Sequence, residues 1–254
     1  MSTSTFAARH RWSLVSTAVG LVALLYAAAF PQSFVGKLLG VAVLDRSLRL
    51  SVPITLAAIG GLYSEKSGVF NIGLEGFLIF GAFFAAASAT VISGESDISQ
   101  IDLWLSVLNA TAFTTVLAFI FAVLTIRYEA NQIVAGLAIW FMGLGFAPFG
   151  AIVIWGRVNS TSLASIEYVT VPVLSEIPLL GEIVFDTSPL VLIMLVVVAL
   201  AYVVLYYTRW GYWVQAAGEN PAALDTAGVS VTRVRYAAVT LSGLLCGIGG
   251  ASLS

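Results

Sequence analysis

Residues 103–126 read LWLSVLNATAFTTVLAFIFAVLTI and contain no Asp, Glu, Lys or Arg. As an α-helix, a run of this length would extend about 36 Å, because each residue adds about 1.5 Å along the helix axis. That length exceeds the hydrocarbon core of a bilayer, which is about 30 Å thick. The run therefore predicts a transmembrane helix, and it indicates that the chain folds in a membrane.

The composition of the whole chain points the same way. Of its 254 residues, 59% are hydrophobic and 9% are charged, whereas a soluble domain carries about 25% charged residues. Further apolar runs lie on both sides of the first, at 12–30, 50–63, 72–93, 133–155, 188–208 and 236–254. We therefore predict an all-α, polytopic transmembrane helical bundle of about seven membrane segments, formed by residues 1–254 as a single domain.

The basic residues predict how this bundle is oriented, since Lys and Arg are enriched in cytoplasmic loops. A cytoplasmic N-terminus places one group of arginines inside: Arg9, Arg11, Arg127, Arg209, Arg233 and Arg235. A smaller group then lies outside: Lys37, Arg46, Arg49 and Arg157. The bias is modest, and it favours a cytoplasmic N-terminus.

The same composition disfavours several classes of function. The net charge is -2 and the basic residues are scattered, which argues against binding to nucleic acid. Cys246 is the sole cysteine, so an intrachain disulfide is impossible, and we expect it to be a small packed residue. His10 is the sole histidine and lacks Cys or carboxylate neighbours at ligand spacing, which disfavours both a metal site and a Ser-His-Asp arrangement.

Two polar segments interrupt the apolar sequence, and the first is YSEKSGVFNIGLEG, residues 63–76. The preceding run, 50–63, would reach only about 20 Å as a helix. We interpret the segment as a break within a short or broken span, where Gly68 and Gly73 permit unwound backbone. Asn71 would then cap the following helix, and Glu75 would lie one turn inside it as a polar contact of a cavity wall.

An alternative interpretation of the first segment remains open. The helix before it could extend back to Asp45, with Arg46 and Arg49 directing their charged ends towards the membrane surface. Residues 63–76 would then form a plain cytoplasmic turn. The depth of Asn71 and Glu75 distinguishes the two interpretations.

The second polar segment, RWGYWVQAAGENPAALDTAGVSVTRVR, covers residues 209–235 and predicts a helix of about two turns. Asn220 is a good N-cap, Pro221 suits the first helical position, and Gly228 can adopt the left-handed conformation that closes a helix. A helix this short is marginal alone and must pack against something. It is either an ordinary interfacial loop helix or a docking element, in which small Ala222, Ala223 and Ala227 allow the close approach of a partner and acidic Glu219 and Asp225 lie at the rim.

Four stretches together resemble a known family: AAGENPAALDTAGVSVTRVRYAAVTLSGLLCGIGGA (216–251), GLYSEKSGVFNIGLEGFLIFGAFFAA (61–86), YEANQIVAGLAI (128–139) and IPLLGEI (177–183). They are similar to the permease subunits of ATP-binding-cassette importers, in the ribose-type group for simple sugars and nucleosides. The resemblance is to the nucleoside, guanosine-type branch. It implies a multi-pass protein of the plasma membrane that translocates nucleosides or related simple sugars into the cytoplasm.

The resemblance also implies partners and roles. The helix near 220–228 would be the coupling helix, which inserts into a cleft of a separate P-loop ATPase through Gly218, Glu219, Asn220, Pro221, Ala223, Asp225 and Gly228. This chain has no GxxxxGK[ST] motif, so it is not an enzyme, and ATP and Mg would bind the ATPase subunits rather than this chain. The other expected partners are a second permease subunit, homologous or identical, an extracytoplasmic substrate-binding protein and the lipid bilayer.

If the chain is such a permease, its substrate path would be lined by Gly68, Asn71, Gly73 and Glu75. Trp140, Phe141 and Phe146 could stack on a nucleobase, although packing against lipid is the more ordinary role for any single one of them. Permeases of this type usually continue with more membrane segments after the last apolar run, so we expect those C-terminal spans to be missing here. Gly243 and Gly247 have GxxxG spacing, which predicts that the last run packs closely against another helix.

A function from another class remains as an alternative. A secondary transporter or channel driven by an ion gradient also uses broken helices in the membrane. The first polar segment therefore does not separate the two functions, whereas the predicted docking helix does.

Overall fold

The computed structural model of the chain describes residues 40–93, 98–158, 166–170 and 186–254, together with Gly20, Val22, Tyr26, Phe30 and Ser33. Most of the predicted first span, 12–30, lies outside the described residues, as do the N-terminal arginines and the IPLLGEI stretch.

The described part of the chain is almost entirely helical. Its helices are α1 Val41–Lys66, α2 Leu74–Ser93, α3 Gln100–Ala122, α4 Gln132–Trp155, α5 Pro189–Tyr207, α6 Arg209–Glu219, α7 Pro221–Thr226 and α8 Val231–Ala251. A π-helical segment, Val123–Arg127, continues α3. Two short strands, β1 Val169–Thr170 and β2 Asp186–Thr187, form a two-stranded sheet.

Five of the described helices are long and apolar enough to cross a membrane: α2, α3 with its π-helical end, α4, α5 and α8. The prediction of a polytopic helical bundle is thus confirmed. These helices belong to one compact unit, Arg49–Val169 and Ser188–Ser254. Residues 1–48 and 170–187 form a second unit, in which Thr187 Oγ1 donates a hydrogen bond to Asp45 Oδ1 at 3.4 Å.

The predicted short or broken span at 50–63 is wrong. Helix α1 is continuous over the 26 residues Val41–Lys66, which corresponds to about 39 Å. The alternative interpretation, a helix that extends back to Asp45, is the better description of α1, which begins four residues earlier still at Val41. The apolar run marks only the middle of the helix, because charged side chains near a helix end leave the backbone hydrogen bonds intact and can point along the axis towards water.

Helices α2, α3 and α8 pack against one another and form the core of the bundle. One cluster of buried side chains includes Phe77 and Phe121, whose rings meet edge to face with centroids 6.4 Å apart, and the fully buried Cys246. The expectation that Cys246 is a small packed residue is confirmed.

Glycines allow α8 to approach its neighbours closely. A Cβ atom added at Gly243 would lie 2.6 Å from the carbonyl oxygen of Thr114, and one at Gly247 would lie 2.2 Å from Thr114 Oγ1. A Cβ at Gly250 would lie 2.5 Å from the carbonyl oxygen of Leu78. The close packing predicted from the GxxxG spacing is confirmed, and α8 touches both α3 and α2 through a face without side chains.

The other candidate spans are far less enclosed. The most apolar stretches of α2 and α8 are 56% and 61% buried, against 17% for α4 and 22% for α5. The open faces of α4 and α5 carry large apolar side chains such as Phe141, Phe149 and Val196. Such faces suit contact with lipid or with other membrane helices.

The two ends of the bundle have different polar contacts. At one end Arg49 donates to the Tyr168 hydroxyl, and the Glu167 amide donates to Gln100 Oε1 at 3.0 Å. At the other end Arg235 binds the backbone that follows α1. Arg49 and Arg235 therefore lie at opposite ends, as the predicted orientation requires, and the assignment of one end to the cytoplasm stays a prediction.

Candidate functional site

The first polar segment folds as a compact turn between α1 and α2, residues 67–73. Gly68 has a φ of 88° and closes α1, since its amide donates to the Glu65 carbonyl at 2.9 Å and the Val69 amide donates to the Ser64 carbonyl at 3.1 Å. This is the usual way in which a left-handed glycine ends a helix. The Ser64 hydroxyl is buried and donates to the carbonyl of Val69 at 2.7 Å.

Asn71 is the polar centre of this turn, and it is only 4% exposed. Its Oδ1 accepts from the Gly73 amide at 2.9 Å, directly before α2 begins, and its Nδ2 donates to Ser242 Oγ on α8 at 3.2 Å. The predicted capping by Asn71 is confirmed. The turn is therefore not a plain loop in water, although the helix before it is unbroken.

The turn also contacts the start of α4. The Phe70 amide donates to Gln132 Oε1 at 2.7 Å. A Cβ added at Gly136 would lie 2.9 Å from the Gly73 nitrogen, so the two backbones touch directly. The first turns of α4 are thus in direct contact with the turn.

Glu75 occupies a different environment from Asn71. It is exposed in the first turn of α2 and lines a cavity of about 660 Å³ together with Phe83, Trp140, Pro148 and Trp155. Cavities of about 300–1,000 Å³ with mostly apolar walls and a few polar groups are typical of small-molecule sites.

The structure thus separates the four residues predicted to line one path. Of the four, Glu75 lines this cavity, and none of the other three is among its described lining residues. Gly68, Asn71 and Gly73 instead form the joint at the adjoining end of α2. Trp155 was not singled out from the sequence, although it lies four turns beyond Trp140 on α4.

The second polar segment contains the predicted helix, α7. Asn220 Oδ1 accepts from the Ala223 amide at 3.1 Å, Pro221 is the first helical residue, and Gly228 has a φ of 80°. The predicted start and end are therefore confirmed. Within α7, which the structure describes completely, only Leu224 is buried.

The remaining α7 surface is available to a partner. Pro221 is partly covered, and the rest is exposed: Glu219, Asn220, Ala222, Ala223, Asp225, Thr226 and Gly228. Small side chains flanked by carboxylates give a narrow, capped rod. Its one buried side chain is that of Leu224.

Helix α6 was not predicted. Thr208 caps it by accepting from the Gly211 amide at 3.2 Å. Its buried residues, Gly211, Val214 and Ala217, recur every third position, while Tyr212 and Trp213 are exposed. That amphipathic spacing after a Thr cap is the signal that the sequence offered.

The two polar segments meet at the end of α6. A Cβ at Gly68 would lie 3.2 Å from Gly218 Cα, and one at Gly218 would lie 2.4 Å from the Lys66 carbonyl oxygen. Arg235 lies beside this contact. Its Nε donates to the Ser67 carbonyl and its Nη2 to the Ala217 carbonyl, each at 3.0 Å.

Sequence reasoning assigned Arg235 only to a cytoplasmic loop. The structure instead places it one turn inside α8, partly buried. A second arginine that follows Arg233 and lies one turn inside α8 was the available signal. Every buried side-chain nitrogen and oxygen of the described residues has a hydrogen-bond partner, so the polar layer at this end is fully satisfied.

Comparison with known proteins gives consistent results. Residues 43–254 match the family described as branched-chain amino acid transport system / permease component. The chain is 36% identical to the guanosine ABC transporter permease protein NupQ of Bacillus subtilis over 82% of its own length and 65% of the relative. It is also 36% identical to the nucleoside ABC transporter permease protein NupC of Lactococcus lactis, over 82% of this chain and 66% of that one.

A third relative is more distant. The putative glucose ABC transporter permease protein TsgC13 of Haloferax volcanii is 31% identical over 84% of this chain and 62% of its own length. The chain thus spans slightly less than two thirds of the length of each of these three curated relatives. No solved structure matches it.

Proposed function

This chain belongs to the family of branched-chain amino acid transport system permease components, and from that premise we propose that it is the membrane-spanning permease subunit of an ATP-binding-cassette importer. It would lie in the plasma membrane with about seven membrane segments and a cytoplasmic N-terminus. The observation that carries the proposal is α7, a capped and exposed rod whose one buried side chain is Leu224.

In this proposal α7 couples the permease to a separate P-loop ATPase that binds ATP and Mg. A helix capped at both ends passes on a partner's movement better than a loop, because its backbone has little freedom to bend. The small exposed side chains Ala222 and Ala223 allow a cleft to close around it. Glu219 and Asp225 would lie at the rim, and Gly218, Asn220, Pro221 and Gly228 would set the shape of the rod.

The other partners follow from the same proposal. A second permease subunit, homologous or identical, would cover open apolar faces such as those of α4 and α5. A substrate-binding protein would dock at the opposite end of the bundle, where Arg49 and Tyr168 lie.

The substrate we propose is a nucleoside. The two relatives of 36% identity are named for guanosine and nucleosides, whereas the one named for glucose is 31% identical. The part of the cavity lined by Glu75 and Trp140 suits a nucleobase, since an indole ring can stack on a face of the base and a carboxylate can accept from its N–H groups. Gly68, Asn71 and Gly73 would shape the adjoining end of the path.

An Ala223→Arg variant tests the coupling proposal in a complex reconstituted with the ATPase, the second permease and the binding protein. A bulky charge on the docking surface should remove about 2 kcal/mol of binding, or about thirtyfold in affinity. We expect ATP-dependent guanosine uptake and co-purification of the ATPase to fall together. Glu167→Arg, an exposed change at the opposite end, is the matched control for co-purification of the ATPase.

Two outcomes of this experiment contradict the proposal. Undiminished uptake by Ala223→Arg would mean that α7 does not dock the ATPase. Uptake by the unaltered chain that follows an ion gradient and needs no ATP would instead indicate a secondary transporter.

The substrate proposal is tested in the same vesicles with labelled guanosine, adenosine and ribose. Trp140→Ala should raise the KM for guanosine about tenfold, because stacking of one base on an aromatic ring contributes about 1–3 kcal/mol. Phe149→Ala should leave the KM unchanged, since the Phe149 ring lies on the same helix, is 68% exposed and is not among the described lining residues of the cavity. Transport of ribose alone would refute the nucleoside assignment.

A further inference from the structure

We propose that Arg235 is a positioning residue that transmits the movement of α7 to the turn 67–73, and through that turn to α4. This inference rests on the proposed coupling of α7 to an ATPase. It adds a named connection between the docking surface and the cavity, which lie on different helices.

The guanidinium of Arg235 holds two segments at once. Its Nε binds the Ser67 carbonyl after α1, and its Nη2 binds the Ala217 carbonyl in the last turn of α6, both at 3.0 Å. Carbonyl groups at a helix C-terminus lack intrahelical partners and carry partial negative charge, so a cation is favoured there. The fixed fork of guanidinium donors allows one side chain to hold both groups in a single geometry.

The contact beneath Arg235 is tight enough to pass on a displacement. Gly68 and Gly218 face each other, and a Cβ at either position would lie within 3.2 Å of the other residue's backbone or of Lys66. Gly218 is followed by Glu219 and by Asn220, the cap of α7. A movement of the N-terminal end of α7 therefore reaches the turn through two intervening residues.

From the turn, direct contacts lead to the cavity wall. Phe70 donates its amide to Gln132, and Gly73 touches Gly136, both in the first turns of α4. Trp140, one turn further along α4, lines the cavity. Helix α4 is the least enclosed of the candidate spans in the described chain.

Spatial continuity alone does not establish energetic coupling between two sites, so the test must measure coupling itself. We would purify the assembled complex carrying Arg235→Gln and measure guanosine uptake and ATP hydrolysis in the same vesicles. Glutamine can reach one carbonyl and carries no charge. The matched control is Arg233→Gln, because Arg233 is an exposed arginine two residues away on the same helix.

We expect the ATPase to remain bound to Arg235→Gln and to hydrolyse ATP, while guanosine transported per ATP falls about tenfold, as expected when a charge-assisted hydrogen bond is lost. Arg233→Gln should keep the ratio of the unaltered complex. Arg235→Lys keeps the charge but replaces the planar guanidinium with a single ammonium group, so it should give an intermediate ratio of guanosine to ATP.

The inference is overturned if Arg235→Gln transports as much guanosine per ATP as the unaltered complex, or if Arg233→Gln loses as much. If Arg235→Gln does not assemble, Arg235→Lys decides: an unchanged ratio overturns the inference and a lowered ratio supports it. Failure of the proposed function itself is distinguishable, because the unaltered complex would then show no ATP-dependent uptake.

Discussion

The turn 67–73 and the helix α7 use the same local devices in opposite surroundings. Each has an asparagine cap, Asn71 or Asn220, and each has a left-handed glycine, Gly68 or Gly228. Asn71 is buried and bound to a second helix, whereas Asn220 is exposed and bonds only within its own segment in the described chain. Local sequence thus determines the shape of each segment, and the surrounding helices determine whether it is an internal joint or a free surface.

The largest expected difference between the two segments lies in their caps. Asn71→Ala leaves the buried Gly73 amide without its acceptor and removes the bond to Ser242, which should cost about 2–3 kcal/mol. Asn220→Ala removes an exposed cap and should cost about 1 kcal/mol. The midpoint of thermal unfolding of the purified protein in detergent should therefore drop clearly further for Asn71→Ala.

Equal shifts of the two midpoints would break the comparison. Such a result would mean that the Gly73 amide finds water in the variant, and that the turn is more open than its contacts indicate. A double change, Asn71→Ala with Ser242→Ala, sharpens the test, because it shows how much of the loss passes through the bond to α8.

A smaller difference is expected for the glycines. Gly68→Ala and Gly228→Ala both place a side chain in the left-handed region, which costs about 1 kcal/mol. Gly228 has open space around it, whereas a Cβ at Gly68 would lie 3.1 Å from Arg235 Nη2 and 3.2 Å from Gly218 Cα. Gly68→Ala should therefore lower the unfolding midpoint further, and it should also reduce transport per ATP.

The transport measurement distinguishes two effects of these glycine variants: backbone strain, which both share, and loss of the contact with Gly218, which only Gly68→Ala causes. If both variants lose stability equally and both keep the normal ratio of guanosine to ATP, the contact between Gly68 and Gly218 carries no coupling. If guanosine transported per ATP falls only in Gly68→Ala, the result supports the connection through Arg235 with a variant in which Arg235 is not substituted.

The sequence predicted those features that depend on neighbouring residues. The cap, the first proline and the closing glycine of α7 all lie within nine residues of one another, so the helix could be assigned from local rules. The glycine spacing on α8 likewise predicted its close packing. The start of α1 was missed, because hydropathy reports which part of a helix is apolar and does not report where its hydrogen bonds begin.

Contacts between distant residues could not be derived in the same way. Arg235 and Ser67 are 168 residues apart, and nothing local marks Ser67 as an acceptor. Glu75 and Trp140 share a cavity only because α2 packs on α4. The sequence also could not say which of three aromatic residues faces inwards. Phe141 points outwards, and Phe146 packs against Phe80 and Phe83.

The glycine face of α8 has a consequence for conformational entropy. In lipid each helix must satisfy its own backbone hydrogen bonds, so α8 is ordered before it meets α2 and α3. Gly243, Gly247 and Gly250 have no side-chain rotamers to restrict, and the backbone freedom that glycine ordinarily loses is already gone. The association of α2, α3 and α8 therefore costs almost no further conformational entropy at this face. The low cost favours tight packing of these three helices, against which the less enclosed α4 can move.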